Sequence, residues 1–254
     1  MSKFVDKLRR LSKSGSKPIG FRASASEPEH PPMQLILATS GAQSAGTKVI
    51  VDVGADAVLV LGDNLGAASI SELVASMPDI PVGVLAKGMG EEQIDELASA
   101  GCDFVVFDVK ASAAVIQKEK IGKVIMIEPF LDPVLIRAVN RLEVDAAFIS
   151  SKADAPFVAI EDLLLCGRLV ELLDKPVIVG LTSLMNRAEL TGLWEVGVEG
   201  VVLPATHSVE ALAGVKKMIG DLPRKARSRR VRADVVLPHY AGDVPAQADE
   251  EEDT

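Results

Sequence analysis

Four stretches, GADAVLVLG (54–62), GCDFVVFDV (101–109), EVDAAFISS (143–151) and GVEGVVLPA (197–205), decide how this chain folds. Each places a carboxylate directly before an apolar run, and three of them open on a glycine. A glycine there ends a helix, and the run that follows reads as a buried strand. A second set of runs lies between them: PPMQLILATS (31–40), DIPVGVLAKG (79–88), GKVIMIEPF (122–130) and DKPVIVGLT (174–182). Three of these carry proline just ahead of the apolar residues, where a strand can begin without losing a ladder hydrogen bond. Interleaved, the two sets predict eight strands, near 33–38, 57–62, 81–86, 103–108, 123–128, 145–150, 176–181 and 200–204.

The intervals between them carry helical spacing. ASISELVASM (68–77) and EEQIDELASAG (91–101) repeat apolar residues at three and four, and the second begins with carboxylates, which favour a helix N-terminus. DPVLIRAVNRL (132–142) offers Asp132 as N-cap and Pro133 as the first helical residue. IEDLLLCGRLVELL (160–173), MNRAELTGLWEVG (185–197) and SVEALAGVKKMIG (208–220) complete the pattern, with SAGTKVIVDVG (44–54) early and a short ASAAVIQKEK helix after the fourth strand. Nearly continuous apolar strands alternating with helices predict a parallel sheet covered on both faces. Eight such units in about 190 residues predict the α/β class as a closed (β/α)8, or TIM, barrel. An open doubly wound sheet is the alternative, but GxGxxG is absent and GMGEEQ (88–93) offers only two glycines.

The predicted organisation has three parts. Residues 1–30 hold an amphipathic helix, with Phe4, Val5, Leu8 and Leu11 on one stripe, and a short strand in KPIGFRA (17–23). Residues 31–222 form the barrel, and 223–254 a basic, then acidic, disordered tail. The helix is expected to plug the N-terminal mouth of the barrel, with peripheral membrane contact as the alternative.

Composition bounds the function. At 48% hydrophobic residues the 254-residue chain has ample apolar surface for a core, yet no run long enough for a membrane span. Its start, MSKFVDKLRRLSKSG, lacks the apolar centre of an export signal, so the expected location is cytoplasmic. Two cysteines, Cys102 and Cys166, make no disulfide framework and read as core residues. Aromatics at 4% leave little for stacking on nucleic-acid bases, and no nucleic-acid partner is expected. The net charge of −9 is segregated, with seven basic residues and one acid in 1–22, six basic residues in 224–232 and six acids in the last twelve. The acidic body disfavours non-specific polyanion binding, and the basic ends read as solvated flanks, with contact to a phosphate-rich surface as the alternative.

A barrel of this kind builds its site from the C-terminal ends of its strands. Those positions are Thr39, Ser40 and Gln43; Asp63 and Asn64; Lys87; Asp108 and Lys110; Glu128; Ser150, Ser151 and Lys152; Thr182 and Ser183; and Thr206, His207 and Ser208. Lys87 ends an apolar strand beside a glycine, and Glu128 ends the strand two further on. We assign Lys87 as electrophile or general acid, Glu128 as its acid–base partner and Asp108 as the group orienting one of them. Opposite charges nearby favour the ammonium form, which suits a lysine to steady a developing oxyanion better than to attack as a free amine. A lyase, isomerase or decarboxylase acting on a small anionic metabolite is the expected class. Lys110, Lys152, Gly180, Thr182, Ser183, Thr206 and Ser208 are the candidate substrate and phosphate ligands, the last five in the loops after strands seven and eight. His30 and His239 lack neighbours with metal-ligand spacing, so no metal is expected. Two other readings stand beside this one: a non-catalytic scaffold barrel, and a flavin barrel holding FMN. No other cofactor is expected, and homo-oligomerisation stays open.

GADAVLVLG, GCDFVVFD and GVEGVVLPA resemble the alternating strands of the ribulose-phosphate-binding barrel superfamily. That group takes in indole-glycerol-phosphate synthase, the phosphoribosylanthranilate isomerases, thiamine-phosphate synthase and flavin-binding barrels. The resemblance runs over about residues 31–220 as a pattern. IPVGVLAKG is similar to the synthase strand that ends in a catalytic lysine, which implicates Lys87. The D-x-K-x-x-D signature of the decarboxylase and hexulose-phosphate synthase group is met at Asp108 and Lys110, while Ala113 stands at its last position. The resemblance implies the fold, a phosphate site and one lysine, and no specific reaction.

Overall fold

A computed structural model describes residues 2–13, 31–41, 44–62, 65–128, 130–150 and 157–223. The expected strand at 17–23, the tail from 224, and Gln43, Asp63, Asn64, Ser151, Lys152, His30 and His239 lie outside the described residues.

Eight parallel strands close into a barrel in sequence order: β1 (Gln34–Ser40), β2 (Ala57–Leu61), β3 (Val82–Leu85), β4 (Phe104–Phe107), β5 (Gly122–Met126), β6 (Ala146–Ser150), β7 (Val177–Gly180) and β8 (Gly200–Pro204). β8 returns to β1, with Gln34 level with Gly200. A helix at the N-terminus, α1 (Lys3–Lys13), precedes the barrel. Around its outside run α2 (Ser44–Val53), α3 (Ala67–Ser76), α4 (Glu91–Ser99), α5 (Pro133–Ala138), α6 (Ile160–Leu172), α7 (Arg187–Val196) and α8 (Val209–Gly220).

Local chemistry sets these boundaries. Gly54, Gly101 and Gly197 follow their helices at φ of +67°, +93° and +101°, the left-handed turn that lets a helix end and a strand begin. Asp132 caps α5 by accepting from the Val134 N–H at 2.7 Å, with Pro133 in the first turn. Ser208 caps α8 by accepting from the Ala211 N–H at 3.3 Å. The helix expected after the fourth strand is only a 3-10 turn, Ala113–Gln117. The residues after that turn supply no apolar face, and Lys118 instead donates to Asp95 and Glu91 of α4, at 2.7 and 2.8 Å. Those two carboxylates, Asp95 first, raise the Lys118 ammonium above its ordinary value.

Cys102 and Cys166 are buried core residues. Burial pushes both thiols up to about 12, so they stay protonated and unreactive at neutral pH.

The inner layer of the barrel is unusual at its N-terminal end. The first inward positions of β2, β3, β5, β6 and β8 are Ala57, Gly83, Gly122, Ala146 and Gly200. Side chains this small leave a socket, and α1 fills it: Phe4 and Leu8 are 0% and 1% exposed and join the inner core. The Phe4 ring stacks on Phe104, with centroids 4.2 Å apart. A Cβ on Gly83 would stand 2.2 Å from the Phe104 ring, and one on Gly122 would stand 2.7 Å from Ser2 Oγ. The glycines therefore make room for the helix and for the ring it stacks on. The apolar stripe that a membrane-surface helix would insert is already occupied by the barrel.

The repeated carboxylates hold that helix in place. Asp103 accepts from the backbone N–H groups of Lys3 (2.8 Å) and Phe4 (2.9 Å) and from the Ser2 hydroxyl (2.7 Å), capping the start of α1. Asp145 accepts from Arg9 at 2.7 Å and from the Lys123 N–H at 2.9 Å. Asp56 accepts from the Leu35 N–H at 2.8 Å and pairs with Lys216, while Lys7 donates to the Asp56 carbonyl at 2.9 Å. Glu199, at the fourth equivalent position, is buried. The carboxylates that mark the repeat in the sequence thus work at the N-terminal face.

Candidate functional site

With the N-terminal mouth filled, the C-terminal mouth is where the barrel's inner layer meets solvent. Side chains alternate along each strand. Leu85 of β3, Val106 of β4 and Met126 of β5 belong to or pack on the inner core. Two residues further along stand Lys87, Asp108 and Glu128. They lie just past the ends of three adjacent strands. Leu85 pairs with Val106 as the last residue pair of β3 and β4, with Lys87 and Asp108 each two residues beyond. Phe107 pairs with Ile125 as the last residue pair of β4 and β5, with Lys110 and Glu128 each three residues beyond. Lys87 and Glu128 are exposed and Asp108 is half-buried. Beneath them Leu61, Leu85 and Met126 are partly buried and form an apolar floor.

The three charges are not locked together. Among the described residues no hydrogen bond or ion pair joins Lys87 to Asp108 or Glu128. One Asp108 oxygen accepts instead from the Lys110 N–H at 2.9 Å, a turn that fixes the carboxylate and directs the chain out of β4.

The loops after β7 and β8 adjoin one another. His207 Nε2 lies 3.3 Å from the Thr182 carbonyl, which ties the two loops across the mouth. Thr182, Thr206 and Ser208 are exposed and Ser183 is half-buried. Ser208 accepts the α8 cap bond and keeps its own O–H to donate, at the positive end of a twelve-residue helix. Gly180 serves packing: a Cβ there would stand 2.7 Å from Phe148 Cζ inside the barrel. Thr39, one of the polar residues at the strand ends, has the opposite parity. It is 9% exposed, and a Cβ on Gly46 of α2 would stand 2.9 Å from its Oγ1, so it lines the strand–helix layer and leaves Ser40 facing the mouth. Among the described residues no group of three His, Cys, Asp or Glu side chains stands close enough to hold a metal ion. No described helix is long and apolar enough to cross a membrane.

Closure, strand order and helix placement define a (β/α)8 barrel. Its solved structural neighbours include tryptophan synthase α-subunits. A single-site variant of the α-subunit from Pyrococcus furiosus superposes with a TM-score of 0.57 at 14% identity, covering 73% of this chain and 96% of that one. Tryptophan synthase from M. tuberculosis, in an open form with BRD0059 bound, gives 0.60 at 14% identity, covering 86% of this chain and 97% of that one. At such identity the likeness is one of fold. No family model matches the chain, and no curated protein matches it in sequence.

Proposed function

We propose that this barrel is a lyase, isomerase or decarboxylase that takes a small anionic metabolite at its C-terminal mouth. One observation carries the reading: Lys87, Asp108 and Glu128 follow by two residues the inward-facing Leu85, Val106 and Met126 of three adjacent strands, at the C-terminal mouth. The charged end of a substrate meets Lys87, and its carbon skeleton rests on Leu61, Leu85 and Met126. As a carbonyl-bearing substrate moves toward an enolate, the ammonium of Lys87 donates a hydrogen bond to the forming oxyanion. Glu128 moves the proton that the skeleton gains or loses. Asp108 orients the lysine with the oxygen that the Lys110 N–H leaves open. A phosphate or carboxylate at the far end fits the loops after β7 and β8, where Thr182, Ser183, Thr206, Ser208 and the N-terminus of α8 gather donors. Lys110 and Lys152 stand in this reading as further cations for the same substrate.

The test is a thermal-stability screen of the whole chain against phosphorylated sugars, keto acids and flavin nucleotides. A ligand bound only to the folded state raises Tm, by about 2.7 kcal/mol of stabilisation at a hundredfold excess over Kd. Stabilisation by a phosphorylated or keto acid metabolite is the expected result. Stabilisation by FMN alone, with flavin absorbance in the purified protein, replaces this reading with the flavin barrel. No stabilisation by any of them favours the scaffold.

A further inference from the structure

Every large apolar side chain among the described residues that is more than half exposed lies on two neighbouring units of the barrel. Phe130, Val134 and Leu135 stand in and just before α5, and Phe157, Ile160 and Leu164 in and just before α6. The two helices touch. Ile160 and Leu164 are one helical turn apart and share a face, with Phe157 leading into it. The other face of α6 is spent on the barrel, where Cys166, Leu169 and Val170 are buried. A helix that only covers a barrel needs one apolar face, and α6 has two. Single exposed apolar residues are ordinary on any protein, but the clustering of the six most exposed ones on two neighbouring units calls for a cover.

We propose that this face docks a second copy of the chain in a two-fold symmetric dimer. The area is right. Six side chains of this size, each showing on the order of 100 Å², present roughly 600 Å² of apolar surface. That is the upper end of what a monomer leaves open, and most of the roughly 800 Å² per partner of a standard interface. The charge at the margin suits self-pairing. Glu161 lies in the first turn of α6, while Arg168 lies one turn beyond Leu164 on the same stripe, and Arg137 follows Val134 on α5. Two antiparallel copies of α6 bring Glu161 of each toward Arg168 of the other, so the margin of the apolar stripe carries both signs although the whole chain carries −9. A strongly acidic or strongly basic partner finds no such match. Phe130 and Phe157 follow β5 and β6 on the side of the mouth that holds Glu128, so the second copy walls that side. This inference does not depend on the reaction proposed above.

Sedimentation velocity on the full chain, from about 1 to 100 µM, tests it, because a dimer's population rises with concentration. The expected species at the upper end has twice the 26.8 kDa mass of the chain. The double variant Ile160→Asp, Leu164→Asp should weaken association by a hundredfold or more with unchanged far-UV circular dichroism. Phe157→Ser, in the preceding loop, should weaken it in the same direction and serves if the double variant fails to fold. A wild-type chain that stays monomeric throughout, or a dimer that both variants leave intact, overturns the proposal.

Discussion

Replacing Phe4 by alanine should destabilise the protein by about 3–5 kcal/mol, although the residue lies outside the barrel's eight units. The side chain is fully buried in the inner core and stacked on Phe104, so its loss opens a cavity at the centre of the N-terminal layer. The surrounding positions cannot collapse into that space, because Ala57, Gly83, Gly122 and Ala146 have almost no side chain to move. In a domain of this size each kcal/mol shifts Tm by about 2–4 °C, so the expected fall is on the order of 10 °C by calorimetry. Arg10→Ala, at an exposed position of the same helix, should change stability by less than about 0.5 kcal/mol. If Phe4→Ala were as mild as Arg10→Ala, α1 would not be part of the barrel core.

The second large effect is on turnover. With the metabolite identified by the stability screen, Lys87→Met should lower kcat by roughly a hundredfold or more, the loss seen when one oxyanion donor is removed. Methionine keeps the length of the chain and removes the charge, and the exposed position makes no demand on the fold, so Tm should hold. Borohydride reduction in the presence of a carbonyl substrate should leave no covalent adduct, because the lysine acts as a cation and not as a nucleophile. Unchanged turnover in Lys87→Met ends the assignment. An adduct at Lys152 transfers the chemistry to a Schiff-base mechanism at that residue.

The barrel was legible because its signals are local. Apolar runs, glycines at helix ends and proline ahead of strands place all eight strands within a few residues of where they lie. The Asp132 and Ser208 caps were legible for the same reason. The role of the repeated carboxylates was not, because Asp103 and Asp145 find their partners about a hundred residues away in α1. Sequence spacing shows an acid ahead of a strand and nothing of what it will meet. The small residues at the start of β3 and β5 were equally silent, since a glycine reads as a weak strand former until Phe4 is seen to need the space. At the candidate site, alternation along the strands turns Leu85, Val106 and Met126 inward, two residues ahead of Lys87, Asp108 and Glu128, and turns Thr39 outward. The same alternation was present in the sequence, but it sorts side chains only once the end of each strand is fixed. The apolar face on α5 and α6 was hidden within a helical pattern that looked continuous with the core, because IEDLLLCGRLVELL is rich enough in leucine to serve two faces at once.

The most direct measurement of where this barrel works is amide hydrogen exchange with and without the stabilising metabolite. Binding at the C-terminal mouth should slow exchange at residues 86–88 after β3, in the 181–185 loop after β7 and in the first turn of α8, and leave α1 unchanged. Protection confined to α1, or to the apolar face of α5 and α6, would contradict a ligand site at the strand ends.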